Sequence, residues 1–237
     1  MTDWLTHWLS LGEIEAIGLS LRVAFWAMAW SLPVAIVTAW LLARCRFPGR
    51  GLLDTLIHLP LVLPPVVIGY GLLVLLGRSG AIGGWLYDFF GITIAFTWRG
   101  AAIASAVVAF PLVVRAIRLS LESVDLRLEE AARTLGASPL GVFFTVTLPL
   151  ILPGIIAGTI LGFARSLGEF GATITFVSNI PGETRTLPIA LYSFIQVPGG
   201  EDAAFRLVVI SVIIAVIALA ASELLARRAR ARVEGRR

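Results

Sequence analysis

Five apolar stretches, each close to the thickness of a lipid bilayer, constrain the fold of this chain most strongly. A helix needs about 20 consecutive apolar residues to cross the hydrocarbon core. The chain is 58% hydrophobic and only 14% charged, with a mean hydropathy of +0.91, which differs widely from water-soluble domains. We therefore predict an all-α integral membrane protein with one transmembrane domain over residues 1–237 and spans near residues 19–43, 55–76, 98–119, 149–168 and 205–226.

The positions of the basic residues predict which connections face the cytoplasm. All 19 basic residues are arginines, and eleven of them lie in the segments 44–54, 122–147 and 227–237. Short cytoplasmic loops carry an excess of positive charge, so these segments are predicted inside the cell. The amino terminus and residues 77–97 and 181–201 are then outside. The net charge of +4 is thus interpreted as a topology signal, and we expect no nucleic acid as a partner.

A pair of prolines in the second span points to a transport path. Proline lacks a backbone donor and clashes with the preceding helical turn. In a bilayer, the carbonyls that it frees need partners within the protein or a water-filled cavity. Single prolines are common in membrane helices, so Pro33, Pro111 and Pro153 carry no such prediction. We place Pro64 and Pro65 on the translocation path.

Two further patterns lie in the fourth apolar stretch and just after it. Arg165 and Glu169 are four residues apart, and ionisable groups at membrane depth tend to pair or to face water. Our main interpretation is a structural salt bridge near the outer end of the helix, and a role in the translocation path is the alternative. Glycines at every fourth position predict close helix packing, within or between subunits; they are Gly154, Gly158 and Gly162. The stretch 170–180 is too short to cross and is interpreted as a helix extension or a re-entrant piece.

The sequence lacks the patterns that covalent chemistry would need. No lysine occurs, so a Walker A nucleotide loop is excluded. His7 and His58 are far apart and lack metal-ligand spacing, and Cys45 is the only cysteine, so no disulfide or thiolate cluster can form within the chain. We therefore expect no catalytic residue, no metal and no cofactor in this chain.

The most polar insert follows the third span and forms what we call the EAA segment (residues 121–148). Its apolar residues recur at helical spacing; they are Leu121, Val124, Leu128, Ala131 and Leu135. Gly136 is predicted to end this helix in the left-handed conformation. Ser138 and Pro139 are predicted to start a second, short helix over residues 140–146. Because acidic residues balance Arg127 and Arg133, we expect a protein partner and not a lipid surface.

In this segment the chain resembles the permease subunits of ATP-binding-cassette importers. Their signature is EAA, three residues, Gly, nine residues and I-x-L-P, and this chain has Glu130, Ala131 and Ala132, then Gly136, then Val146 to Pro149 with valine in place of isoleucine. The stretches RCRFPGRGLLDTLIHLPLVLPPVVIGYGLLVLLGRSGAIG and RLEEAARTLGASPLGVFFTVTLPLILPGIIAGTILGFARSLGEFGATITFVSNIPGETRTLP also resemble molybdate permeases. The resemblance extends from about Leu19 to Ala226.

The resemblance implies a type I importer permease with five transmembrane helices and a cytoplasmic coupling helix in the EAA segment. The residues implied to couple to the ATPase are Glu130, Ala131, Ala132, Gly136, Leu148 and Pro149. Implied partners are a second copy of the chain, a cytoplasmic ATPase dimer that binds the ATP, and a periplasmic molybdate-binding protein. The implied location is the bacterial inner membrane, with a periplasmic amino terminus and a cytoplasmic carboxyl terminus. A tungstate or sulfate/thiosulfate permease and an ATP-independent channel or carrier remain alternatives.

Overall fold

A computed structural model describes residues 9–233, and all regular structure within them is helical. The helices are α1 (Leu11–Arg44), α2 (Arg50–His58, continued by a 3-10 turn at Leu59–Leu61), α3 (Pro65–Leu76), α4 (Ala81–Phe90), α5 (Trp98–Glu122), α6 (Leu126–Thr134), α7 (Pro139–Leu167), α8 (Gly171–Val177), α9 (Leu187–Phe194) and α10 (Glu201–Val233). The all-α prediction is confirmed. The amino terminus, which was predicted outside the cell, and His7 lie outside the described residues. So do Arg236 and Arg237 of the predicted cytoplasmic tail.

Four of the described helices are each long and apolar enough to cross a membrane, and a bent pair gives a fifth candidate span. The four are α1, α5, α7 and α10, and the pair is Arg50–Leu61 with Pro65–Leu76, bent by 111°. Each of these candidate spans extends beyond its predicted bounds at one end or at both. At the start of α1, Ser10 and Glu13 form a reciprocal capping box, so the helix begins at Leu11, before the predicted span that starts near residue 19.

The centre of the protein consists of α1, α5 and α7, which pack on one another, with α10 against α7. One apolar cluster includes Leu42, Ile117 and Ile151 and lies near the EAA segment; we call this the EAA end of the bundle. A second cluster includes Val23 and Phe176 and lies towards the opposite end. Helices α1 and α5 therefore run parallel, and both finish at the EAA end.

The glycines of α7 pack against helices of the same chain. A Cβ atom on Gly154 would lie 2.3 Å from the Cβ of Ser120, and one on Gly162 would lie 2.6 Å from both the Sδ of Met28 and a methyl group of Val113. These distances are far below ordinary carbon contacts. The small residues therefore allow α7 to approach α5 and α1 closely, which resolves the choice between packing within and between subunits for these positions.

Only one of the proline sites interrupts a span. Pro33, Pro111 and Pro153 lie inside the continuous helices α1, α5 and α7. The chain leaves helical geometry between Leu61 and Pro65, where Pro64 is extended with φ −56° and ψ 133°. The pair of prolines thus marks a sharp bend, as its restricted φ and missing donors require.

The short apolar stretch after α7 folds as a separate helix. α8 spans only Gly171–Val177 and ends at Ser178, whose φ is +64°. It packs against α3 and α5. Because α7 ends at Leu167, the stretch is not an extension of α7, and its seven residues are too few to cross a bilayer.

Candidate functional site

The EAA helix α6 has a defined start and a defined end. The carboxylate of Asp125 accepts a hydrogen bond from the backbone N–H of Arg127 at 3.0 Å, which caps the first turn. At the other end, Gly136 has a φ of +89°. The N–H of Gly136 donates to the carbonyl of Arg133, and the N–H of Ala137 donates to that of Ala132. This pair of bonds is a Schellman motif, so the predicted glycine stop is confirmed.

The apolar residues that recur at helical spacing in the EAA segment are mostly exposed. Leu128, Ala131 and Leu135 are all exposed, and Leu135 is 88% accessible. Of the predicted apolar set, only Leu121 and Val124 are buried, and both precede α6. Since α6 lies at the edge of the bundle and packs mainly on the start of α7, most of its apolar side chains have no neighbour to cover them.

The predicted coupling residues lie on the exposed surface of α6 and in its closing turn. Glu130 and Ala131 are exposed, as is Gly136, and Ala132 is partly exposed. No described residue forms a salt bridge with Glu130. These residues are therefore accessible to another protein.

The buried charge in α6 is Glu129, a residue that sequence reasoning did not select. Its Oε1 accepts a hydrogen bond from Nη2 of Arg44 at 3.0 Å and another from the hydroxyl of Thr147 at 3.0 Å. Its side chain is 10% exposed, and that of Arg44 is 14% exposed. One carboxylate oxygen thus connects the last residue of α1, the EAA helix and the first part of α7. No local signal could identify the contact, because Arg44 and Glu129 are 85 residues apart.

The second part of the EAA segment is continuous with the fourth span. Ser138 caps the helix that starts at Pro139, as predicted. The N–H of Gly141 donates a hydrogen bond of 3.1 Å to the side-chain oxygen of Ser138. A separate short helix over residues 140–146 was predicted, and this is wrong. Instead, α7 runs from Pro139 through a π-helical turn at Phe143–Thr147 and then without a break to Leu167. Pro149 comes shortly after this π turn, and the wider turn accommodates a residue that has no backbone donor for the preceding turn.

Two of the predicted coupling residues therefore lie within α7. Leu148 packs against the apolar cluster at the EAA end, and Pro149 is exposed on the same helix. A displacement of the EAA segment would pass into the fourth span through this continuous backbone.

The bend at Pro64 and Pro65 lies beside α8. A Cβ atom on Gly171 would be 2.9 Å from the Cβ of Pro65, and one on Gly69 would be 2.5 Å from the carbonyl oxygen of Ala172. The bent helix and α8 are thus in close backbone contact, which only glycine permits at these two positions. Pro64 is exposed and Pro65 is partly exposed.

The charged pair after α7 joins this region. Nη1 of Arg165 is 2.8 Å from Oε2 of Glu169, whose side chain is 1% exposed while that of Arg165 is 33% exposed. The other carboxylate oxygen of Glu169 accepts a hydrogen bond from the N–H of Ala172 at 2.8 Å. The predicted salt bridge is present, although α7 ends before Glu169. Glu169 also caps α8, so the pair fixes the connection between α7 and α8.

Within residues 9–233, no group of three or more His, Cys, Asp or Glu residues could hold a metal ion. The geometry of the described site consists of an exposed helix and turn at one end of the bundle and a bent helix held by α8. Such an arrangement can bind a partner and transmit a displacement.

Comparison with known proteins identifies the family. A family model described as "Binding-protein-dependent transport system inner membrane component" matches residues 31–231. The chain is 66% identical over 220 residues to the molybdenum transport system permease protein ModB of Escherichia coli (strain K12), covering 93% of this chain and 96% of the relative. It is 64% identical over 216 residues to the protein of the same name from Haemophilus influenzae, covering 91% and 94%.

A solved structure identifies the fold. The bacterial alginate ABC transporter, crystallised in complex with an alginate pentasaccharide-bound periplasmic protein, matches with a TM-score of 0.75 over 95% of this chain and 82% of that chain, at 19% identity. The predicted fold of an importer permease is confirmed, and so is the prediction of a transporter subunit in place of an enzyme. The chain belongs to the family of binding-protein-dependent transport system inner membrane components.

Proposed function

We propose that this chain is the membrane-spanning subunit of an ATP-driven molybdate importer. The observation that carries the proposal is the exposed helix and turn of Glu130–Gly136 in a chain that is 66% identical to a molybdenum permease over 93% of its length. The test is uptake of labelled molybdate, tungstate and sulfate by a strain whose own molybdate permease is deleted and which expresses this chain together with an importer ATPase and a molybdate-binding protein. Molybdate uptake that sulfate does not displace is expected. Uptake of sulfate alone would refute the substrate.

The EAA helix is proposed to dock on a separate ATPase. ATP would be bound there, since this chain has no lysine for a Walker A loop. Closure of two ATPase subunits would draw two EAA segments together, and α7 would carry that displacement into the membrane. Because a ligand shifts a two-state equilibrium only by its differential affinity, ATP and the loaded binding protein would favour the outward-open state.

Docking can be tested by reversing the exposed charge. Glu130→Arg is expected to insert normally in the membrane but to lose co-purification with the ATPase, because like or unpaired charges at a contact are costly. Gly136→Pro is expected to do the same by removing the left-handed turn. The matched control is Asp88→Arg, which reverses an exposed charge in α4. Normal co-purification and uptake with both Glu130→Arg and Gly136→Pro would refute the coupling assignment.

The requirement for the ATPase separates this proposal from an independent channel or carrier. Purified chain in proteoliposomes is expected to transport no molybdate until the ATPase, ATP and the binding protein are added. Transport by the chain alone would favour the channel or carrier.

A second copy of the chain is proposed to complete the path. The bent helix leaves one side uncovered, and its exposed apolar residues are Val62, Val66, Val67, Tyr70 and Val74. A copy that covers this face would bring two bends, with their Pro64 and Pro65, to a shared axis. With Cys45→Ser as the background, Tyr70→Cys is expected to form disulfide-linked dimers, whereas Val216→Cys, on the exposed side of α10, is expected to stay monomeric. Disulfide-linked dimers of Val216→Cys, with Tyr70→Cys monomeric, would place the interface at α10 and refute this part of the proposal.

The proposed orientation puts the EAA end in the cytoplasm and the amino terminus in the periplasm, where the binding protein would deliver its anion. In the same background, Glu201→Cys is expected to react with an impermeant maleimide in spheroplasts, and Arg127→Cys only after the membrane is opened. Labelling of Arg127→Cys in intact spheroplasts would show that the EAA end faces the periplasm and would refute the proposed orientation.

A further inference from the structure

We propose that Glu129 is a positioning residue that makes α1 move together with the coupling helix. The inference rests on the proposed docking of α6 on an ATPase and adds a second route for the displacement. The backbone connects α6 directly to α5 and α7 but reaches α1 only through a long intervening chain. Arg44 and Glu129 are 85 residues apart in the sequence, and their ion pair joins α1 to α6 directly, with a contact of 3.0 Å.

The contact is built to stay closed while α6 is displaced. Oε1 of Glu129 accepts from both Arg44 and Thr147 at 3.0 Å, and Thr147 is 2% exposed. A charge-assisted hydrogen bond is about twice as strong as a neutral one. Separating the pair would leave a carboxylate without its cation at a place that water reaches poorly, which is strongly unfavourable. The three elements are therefore expected to move as one body.

Apolar packing does not provide the same connection between α6 and α1. A cavity of about 310 Å³ lies between them, lined by Ile36, Val37 and Trp40 of α1 and by Glu129 and Arg133 of α6, together with the start of α7. Glu129 lies in the wall of this cavity, and its ion pair with Arg44 joins the two helices. Nη2 of Arg44 donates to Glu129, while its Nε has no hydrogen-bond partner within the described residues, so the contact with Glu129 connects Arg44 to α6.

Once α1 is held in this way, it can carry the displacement into the membrane. Arg44 is the last residue of α1, and Leu42, just before it, is fully buried against α5 and α7. A rigid helix displaced at one end moves along its whole packed length. Loss of the ion pair should therefore leave ATPase docking intact. Closure of the ATPase subunits should then displace the membrane helices less.

The experiment measures molybdate transported per ATP hydrolysed in proteoliposomes that hold the complete transporter with its ATPase and binding protein. Glu129→Gln keeps the acceptor for Thr147 and removes the charge, and Arg44→Gln removes the cation. Each is expected to lower the ratio about tenfold, within the 5–150-fold range typical of coupling between sites, while the ATPase still co-purifies. The double change Arg44→Glu with Glu129→Arg is expected to restore the ratio in part, because the new guanidinium in α6 would repel Arg133 one turn away.

A matched control separates coupling from general loss of packing. Glu13 in α1 is fully buried and binds Arg206 of α10 at 3.0 Å, so Glu13→Gln breaks a comparable ion pair of the same helix near its other end. This variant is expected to keep the ratio of transport to hydrolysis even if less protein folds. An equal fall in Glu13→Gln and Glu129→Gln would refute a specific role of Glu129.

The remaining outcomes distinguish this inference from the docking proposal. An unchanged ratio in both Glu129→Gln and Arg44→Gln would overturn the inference and leave docking untouched. Loss of ATPase co-purification in these variants would also overturn it, because the pair would then support the docking surface itself. If Glu129→Gln does not insert, Thr147→Val, which removes one hydrogen bond to the same oxygen, must lower the ratio about twofold, and an unchanged ratio in that variant would overturn the inference.

Discussion

The close contact between the bent helix and α8 makes Gly69 the position where one added methyl group has the clearest effect. A Cβ at residue 69 would lie 2.5 Å from the carbonyl oxygen of Ala172, 2.9 Å from its Cα and 2.9 Å from the Cβ of Thr175. Two of these three atoms belong to the backbone of α8 and cannot rotate away. Since carbon atoms prefer separations of about 3.5–4.0 Å, the two helices would have to move apart by at least about 0.6 Å.

Gly71 provides the reference for the magnitude. It lies in the same helix, and a Cβ there would meet no atom within 4 Å. Gly71→Ala is expected to stabilise the protein by about 0.5–1 kcal/mol, because alanine loses less backbone entropy in a helix. Gly69→Ala gains the same amount and loses about 1–3 kcal/mol to overpacking. The difference between the two variants therefore isolates the steric cost, at about 1–3 kcal/mol.

The assay is thermal unfolding of both purified variants in one detergent, followed by tryptophan fluorescence. For a chain of this length, 1 kcal/mol corresponds to about 2–4 °C, so Gly69→Ala should unfold about 2–12 °C below Gly71→Ala. Molybdate uptake should fall in Gly69→Ala and persist in Gly71→Ala, because α8 fixes the bend at Pro65. An unfolding temperature of Gly69→Ala at or above that of Gly71→Ala would refute the close backbone contact.

Three further predictions concern the ends of helices. Gly136→Ala should cost about 1 kcal/mol of unfolding free energy, because alanine at a φ of +89° is strained; unchanged thermal unfolding would contradict the left-handed turn. Ser138→Ala should cost about 1 kcal/mol by removing the cap of α7, and equal proteolysis of variant and parent near Pro139 would contradict it. Arg165→Leu should be less stable than the double variant Arg165→Leu with Glu169→Gln, because the single change leaves a buried carboxylate without its cation. Uptake by the double variant equal to that of the parent would exclude a transport role for the pair.

Local signals in the sequence predicted the end of α6 and the start of α7, and they singled out the proline pair where the bend lies. Ser138 and Gly136 act within a few residues of their own positions, through a side-chain cap and a left-handed φ. Pro64 and Pro65 determine backbone geometry where they stand. The apolar stretches likewise identified four single spans and the bent pair, since hydrophobic length is a property of one segment. These features depend on little beyond neighbouring residues.

The features that sequence reasoning missed depend on what surrounds a helix. The 3.6-residue period of α6 defines an apolar face, but the period does not say whether another element covers it. Because α6 lies at the edge of the bundle, Leu128 and Leu135 are exposed, and the residue turned inward is Glu129. Its partner Arg44 comes from the end of the first span, and no pattern within either segment relates the two. The continuity of α7 through Phe143–Thr147 was also missed, because a π-helical turn has no distinct composition.

The exposed leucines and the buried glutamate of α6 fit a helix whose main partner is another protein. Leu128 and Leu135 are 49% and 88% exposed, and exposed patches of large apolar side chains mark interaction sites. Burying a leucine side chain stabilises a contact by about 1.5–3 kcal/mol, so these two residues could contribute much of the docking energy. The inward carboxylate then takes the role that apolar packing has elsewhere, holding the helix to α1 and α7 while its leucines stay available. An importer needs both properties at once, because a coupling helix that packed its own leucines inward would have little apolar surface left for an ATPase to bind.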